Sequence, residues 1–249
     1  MLKEDNIITI DVGNSSTVFG VFSQKGELLQ KHRVNSDSSE ISDKINNLEK
    51  NLIQKLGADI IVSSVVPELD KIFPEKTFFV NHQTNLGIGI KTDNPSEVGA
   101  DRLVNCVAAK CLGLTPAIVI DFGTATTLDV LDKNCNYAGG VISAGLRLSL
   151  GSLSRNASKL PQIEFTKPNK ALGKNTKDAM LSGCYYGYIG LIEKICHQLQ
   201  QELGYNCKLI ATGGFANSFK NNVKNLKLVD ENLTLKGLYE IWKINKNEF

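Results

Sequence analysis

Apolar runs and polar bends follow one another in the same order in both halves of the chain. Residues 7–10 (Ile-Ile-Thr-Ile) lead into Asp11, a bend follows, and residues 18–22 form a second apolar run. Residues 117–120 (Ala-Ile-Val-Ile) lead into Asp121, and residues 128–131 follow in the same way. Short apolar runs bounded by Gly, Asn, Asp and Lys predict strand, tight turn, strand. The bends echo each other. Residues 10–17 read Ile-Asp-Val-Gly-Asn-Ser-Ser-Thr and residues 120–127 read Ile-Asp-Phe-Gly-Thr-Ala-Thr-Thr, so that Ile, Asp, Gly and the last Thr match at an offset of 110. An echo at the start of both halves implies a duplicated unit.

The remaining pattern fits that plan. Residues 27–34 predict a third strand. Ile41, Ile45, Leu48, Leu52 and Ile53 recur at helical spacing and predict a helix over 40–56. Strands are expected at 59–65 and 77–80, then a helix over 97–112 started by Pro95-Ser96. In the second half the pattern predicts a strand at 137–142, a helix at 144–154 and a long helix at 176–203 with Asn175 as its N-cap. A strand at 208–211 and a closing helix at 233–246 complete it. Strands precede helices in both halves, which predicts two related α/β domains, 1–114 and 115–249, divided near Leu114-Thr115-Pro116. Residues 156–175, with Pro161, Pro168 and scattered lysines, read as a long surface connection.

Composition narrows the classes. The 249 residues are 42% hydrophobic and 22% charged, which suits a globular protein with a full core. A net charge of +2 gives no electrostatic reason to expect nucleic acid or a membrane as the main partner. No apolar run has the length of a membrane span, and the first residues lack the apolar core of a signal peptide, so a cytoplasmic protein is expected. Six scattered cysteines without a CxxC pair, beside three histidines, argue against a disulfide framework or zinc site and for mostly buried thiols.

The bends carry the candidate chemistry. Gly13 and Gly123 let backbone approach an anion, successive N–H groups can cradle phosphate oxygens, and Ser15, Ser16, Thr17, Thr124, Thr126 and Thr127 add hydroxyls. Asp11 and Asp121 can hold hard cations. Either turn alone reads equally as a plain hairpin; two copies, each ending an apolar strand, point to a shared nucleotide site. Ala211-Thr212-Gly213-Gly214 and Gly139-Gly140…Gly145 are further glycine elements at strand ends, where α/β folds bind ligands. No GxxxxGK[ST] is present.

This arrangement resembles the sugar kinase, Hsp70 and actin superfamily. That resemblance implies two RNase H-like domains of the ASKHA type with a nucleotide cleft between paired Asp-x-Gly hairpins. The stretch Gly99-Ala100-Asp101-Arg102, standing between the hairpins and followed by Thr212-Gly213-Gly214, is similar to type III pantothenate kinase. The resemblance implies transfer of the γ-phosphate of ATP to the 4′-hydroxyl of pantothenate, the first step of coenzyme A synthesis. Asp101 is then the base, and Gly99, Ala100, Asp101 and Arg102 meet pantothenate, joined by Thr176 from the partner subunit of a homodimer. Asp11, Val12, Gly13, Asn14, Ser15, Ser16, Thr17, Val18 and Thr124 meet ATP. Asp121 holds a monovalent cation, potassium or ammonium, and the Mg²⁺ that accompanies ATP lies near Asp11. The alternatives are a non-catalytic regulatory or transcription accessory relative, and a phosphatase or kinase of the superfamily with another substrate.

Two residues depart from that family pattern. Thr92 stands where a substrate-facing tyrosine is usual, and Ser15 replaces a threonine. Gly183, Gly187 and Gly190 line one face of the long helix at i, i+4 and i+7. Helix-interior glycines cost about 1 kcal/mol each against alanine, so a close approach is expected there, either an internal helix crossing or a homodimer contact. Lysines 167, 170, 174 and 177 read as a solvated face.

Overall fold

The computed structural model describes residues 6–48 and 58–248. The chain divides into two compact units. The first comprises residues 1–113, 135–137 and 232–249, and the second residues 114–134 and 138–231. No helix among the described residues is long and apolar enough to cross a membrane.

The first unit is built on β1 (Ile7–Val12), β2 (Ser16–Phe22), β3 (Leu28–Asn35), β4 (Asp59–Ser64) and β5 (Phe78–Phe79), in the order β3-β2-β1-β4-β5. β1 pairs antiparallel with β2 and parallel with β4. Side chains alternate between the two faces of a strand. Ile8, Ile10 and Val12 therefore share one face with Phe19, Val21 and Val62, which bury against Ile41 and Ile45 of α1 (Ser38–Leu48). The expected continuation of that helix over 49–56 lies outside the described residues. On the other face, Gly20 brings the strand backbone against Leu235 of the closing helix.

Two helices cover that second face, α2 (Ala100–Cys111) and the last helix, Leu233–Asn245, whose Leu235, Leu238 and Ile241 are buried. A Cβ on Gly237 would stand 2.3 Å from the Val104 carbonyl oxygen, so a side chain there would hold the two helices apart. Polar tethers add to the packing: Thr234 Oγ1 donates to Asn105 Oδ1 (2.9 Å) and Trp242 Nε1 to Asp59 Oδ2 (2.8 Å). The closing helix thus belongs with the first unit, although it lies in the second half of the sequence.

The second unit repeats the sheet. β7 (Ala117–Phe122), β8 (Ala125–Leu131), β9 (Asn136–Ala144), β10 (Lys208–Thr212) and β11 (Leu226–Val229) run in the order β9-β8-β7-β10-β11, matching β3-β2-β1-β4-β5 element for element. β7 pairs antiparallel with β8 and parallel with β10, as β1 does with β2 and β4. Its core packs Ile118, Ile120, Leu128 and Val130 against Tyr185, Tyr188 and Ile192 of the long helix. Phe219 stacks on Phe122 and Tyr185 at centroid distances of 5.0 and 5.4 Å. The first residues of β9 group with the first unit, where Asn136 and Tyr137 pair in parallel with Gly89 and Ile90 of the short strand β6.

The remaining helices longer than one turn are α3 (Leu146–Asn156), α4 (Thr176–Leu203) and α5 (Leu233–Asn245). α4 occupies its expected span, and Asn175 Oδ1 accepts the Asp178 N–H at 2.9 Å. α2 starts later than expected. Residues 95–97 make a separate 3₁₀ turn, Val98 and Gly99 are extended, and the α-helix begins at Ala100. The thiols also depart from expectation. None of the six cysteines is in a disulfide, but only Cys106 and Cys196 are buried, while Cys111 is exposed.

Candidate active site

In the first unit, β1 and β2 close the bend that follows Asp11, with Val12 opposite Thr17 and Asp11 opposite Val18. Gly13 N donates to Ser16 O at 3.2 Å and tightens the turn. Asn14 and Ser15 are exposed at its tip, Asp11, Gly13 and Ser16 are half-buried, and Thr17 and Val18 are buried. β3 and the bend just after it add two residues that the sequence pattern did not single out. Arg33 Nη1 donates to Ser16 Oγ at 2.9 Å. The Ser36 hydroxyl donates to the Gly13 carbonyl and also meets Thr17 Oγ1 at 3.1 Å. Ser63 is level with Asp11 on the neighbouring β4, and its buried hydroxyl has no hydrogen-bond partner. Alternation along β1 puts Asp11 on the same face as Thr9, the face that α2 and α5 cover.

The N-terminus of α2 reaches this edge of the sheet. A Cβ on Gly99 would lie 3.5 Å from Val65 Cγ1 and 2.6 Å from Asp101 Oδ1, so a larger residue would displace the carboxylate. Val65 N in turn donates to Val12 O at 3.0 Å, beside Asp11. Ala100 is buried, and Asp101 and Arg102 are half-buried. Asp101 Oδ1 accepts the Arg102 N–H at 2.8 Å. Burial pushes the Asp101 carboxyl above the ordinary carboxylate range, and the Arg102 N–H and charge offset only part of that rise. The Arg102 guanidinium carbon stands 5.7 Å from the centroid of the Tyr137 ring. Thr92 is half-buried, and its hydroxyl is enclosed without a hydrogen-bond partner.

The second unit builds its bend differently. Asp121 faces Thr127 and Phe122 faces Thr126, so this turn is one residue shorter than the first. Thr126, not Thr127, is therefore the counterpart of Thr17. Both are fully buried, and the Thr126 hydroxyl is taken up by Tyr188. Thr127 Oγ1 donates to Asp129 Oδ2 at 2.7 Å, and Thr124 is exposed at the tip. Two glycine elements converge on this bend. Gly145 N donates to Thr124 O at 3.0 Å, and a Cβ on Gly145 would stand 2.1 Å from that oxygen. Gly213 has φ of +89°, and a Cβ there would lie 2.4 Å from Asp121 Oδ1 and 2.7 Å from the Phe122 backbone. Asp121, Gly123, Thr124, Gly145 and Gly213 thus form one backbone-lined cluster at the ends of β7 and β10.

Among the described residues, no group of three or more His, Cys, Asp or Glu gathers as a metal cage. The donors that are present fit weakly held hard cations. Magnesium is commonly bound through one or two carboxylates with substrate phosphates completing its shell, a role open to Asp11. Asp121 stands close against the backbone of Gly213 at the second bend.

Thr176 is exposed in the first turn of α4. Further along, a Cβ at Gly183, Gly187 or Gly190 would meet nothing within 4 Å. No internal helix crosses that face among the described residues.

Known structures match this fold across nearly the whole chain. A Campylobacter jejuni protein described as a conserved Baf family transcriptional activator aligns with 22% identity, 97% of this chain, 100% of that one and a TM-score of 0.65. The activator of the 2-hydroxyisocaproyl-CoA dehydratase from Clostridium difficile, solved with ADPNP, aligns with 11% identity over 98% and 97% of the two chains at a TM-score of 0.54. MreB 5 of Spiroplasma citri, solved with AMPPNP, aligns with 10% identity over 99% of both chains at 0.54. The duplicated α/β unit is the fold of the sugar kinase, Hsp70 and actin class. Within it, the type III pantothenate kinase model matches residues 7–198, and the chain belongs to that family.

Proposed function

We propose that this protein is an ATP-dependent kinase that phosphorylates the 4′-hydroxyl of pantothenate. The observation that carries the proposal is Asp101. It is a half-buried carboxylate at the start of α2, beside the strand ends from which the Asp11 bend projects. In the proposed reaction the substrate hydroxyl oxygen attacks the γ-phosphorus, the bond from that phosphorus to the ADP oxygen breaks, and Asp101 takes the hydroxyl proton. A carboxylate whose proton affinity is raised by burial suits that role. Most of the catalysis of phosphoryl transfer is positioning and charge stabilisation.

Asp11, Val12, Gly13, Asn14, Ser15, Ser16, Thr17, Val18 and Thr124 are the proposed ATP-binding residues, through backbone N–H groups and the exposed hydroxyls. Mg²⁺, when bound with ATP near Asp11, neutralises phosphate charge. Asp121 holds a monovalent cation. Gly99 and Ala100 leave room for pantothenate, and Arg102 offers its guanidinium fork to the substrate carboxylate. The protein acts as a cytoplasmic homodimer, with Thr176 reaching the partner's substrate. The open glycine face of α4 is the surface best suited to close contact between copies.

The description of the Campylobacter protein raises a second reading, a regulatory relative without catalysis. The joint presence of Asp11, Asp101, Arg102 and Asp121 favours the enzyme. Purified protein with ATP, Mg²⁺, K⁺ and pantothenate should form 4′-phosphopantothenate, read by mass spectrometry. Binding of nucleotide without product would favour the regulatory reading.

A further inference from the structure

The first unit places a buried aromatic ring against Arg102. Tyr137 is 1% exposed, and it lies outside every motif that pointed to the site. Its backbone is stapled to the chain ahead of α2. Ile90 pairs with Tyr137 and Gly89 with Asn136. Gly89 N donates to Cys135 O at 3.2 Å and Lys91 N to Tyr137 O at 2.8 Å. The ring is therefore fixed both by burial and by its strand. The guanidinium carbon of Arg102 stands within 6 Å of the ring centroid, the range in which an aromatic face attracts a cation. A planar guanidinium also stacks on such a face, which holds its donor fork in one orientation.

We propose that Tyr137 is a positioning residue whose ring sets the Arg102 guanidinium to receive the carboxylate of the substrate. The inference rests on the kinase reading above and deepens it: a residue outside the motifs orients the group that meets the substrate carboxylate. The segment stapled to Tyr137 runs directly on to Thr92, whose enclosed hydroxyl lacks a partner. A buried polar atom without a hydrogen bond is costly and calls for an explanation. Contact with the bound substrate would supply one.

The test compares two substrates, pantothenate and an N-alkyl amide of it in which the carboxylate is replaced by an uncharged group. Tyr137→Leu should lower kcat/KM for pantothenate about tenfold more than for the amide, chiefly through KM. Tyr137→Phe keeps the ring and should leave that ratio within about twofold of wild type. Tyr137→Met carries the same expectation as the leucine variant and replaces it if that variant does not fold. Equal losses on both substrates with a lowered Tm would mean that the ring only supports the fold, and would overturn the inference. Wild-type protein inactive on both substrates would overturn the kinase reading itself. An active wild type with an unchanged ratio in Tyr137→Leu would overturn the Tyr137 assignment alone.

Discussion

The two acidic bends share a strand order and end in the same residue types, but they are held in different ways. The first is braced by side chains, with Arg33 of β3 and Ser36 just past its end reaching Ser16, Gly13 and Thr17. The second is braced by backbone, with Gly145 against Thr124 and Gly213 against Asp121 and Phe122. Side-chain hydroxyls can turn toward a ligand and back. Packed backbone cannot, so the second bend is preorganised and the first adaptable. One duplicated frame thus holds its two bends by two different means.

Glycine substitution is the harshest way to break that comparison. Gly213→Ala puts a Cβ within 2.4 Å of Asp121 Oδ1 at a positive φ. It should cost about 1–3 kcal/mol in urea unfolding. Gly13→Ala meets only the Ser16 carbonyl oxygen, at 3.2 Å, and should cost less than about 1 kcal/mol. Equal costs would mean that the two bends are equally rigid. The aspartates should separate next. Asp121→Asn is expected to abolish stimulation by potassium over sodium. Asp11→Asn should keep that stimulation and instead raise the Mg²⁺ needed for half-maximal rate by roughly tenfold. Rates measured across both cation series decide this, and loss of the potassium effect in Asp11→Asn would remove the distinction. The smallest effect is expected for Arg33→Gln, which loses one exposed side-chain brace. KM for ATP should rise about two- to fivefold, with Tm nearly unchanged.

The duplicated fold was legible because the two octets each end an apolar strand, and their offset reappears as matching sheet order. Their last threonines nevertheless misled. Thr17 and Thr127 match in sequence, yet register makes Thr126 the counterpart of Thr17, since the second bend is one residue shorter. Arg33 and Ser36 were not legible as site residues, because only pairing with β2 brings them to the first bend. Glu97 reads as helix, but Pro95 starts a 3₁₀ turn and the extended Gly99 resets the chain before Ala100. The affiliation of α5 depended on Gly237 meeting Val104, a contact between residues far apart in sequence. Strands as short as Gly89–Ile90 and Leu226–Val229 carry too few residues for an alternation signal.

The central claim is that Asp101 accepts the proton of the substrate hydroxyl while the bends hold ATP. Its most direct measurement is kcat for Asp101→Asn, with ATP affinity determined in parallel and the wild-type rate followed against pH. The account predicts a fall in kcat of about 10²- to 10⁴-fold, with ATP affinity little changed. Because burial raises the Asp101 carboxyl above its ordinary value, the wild-type rate should depend on pH above the range in which an ordinary aspartate titrates. It should be lost as pH falls through that raised value, before an ordinary aspartate would protonate. Near-normal turnover by Asp101→Asn would contradict the account.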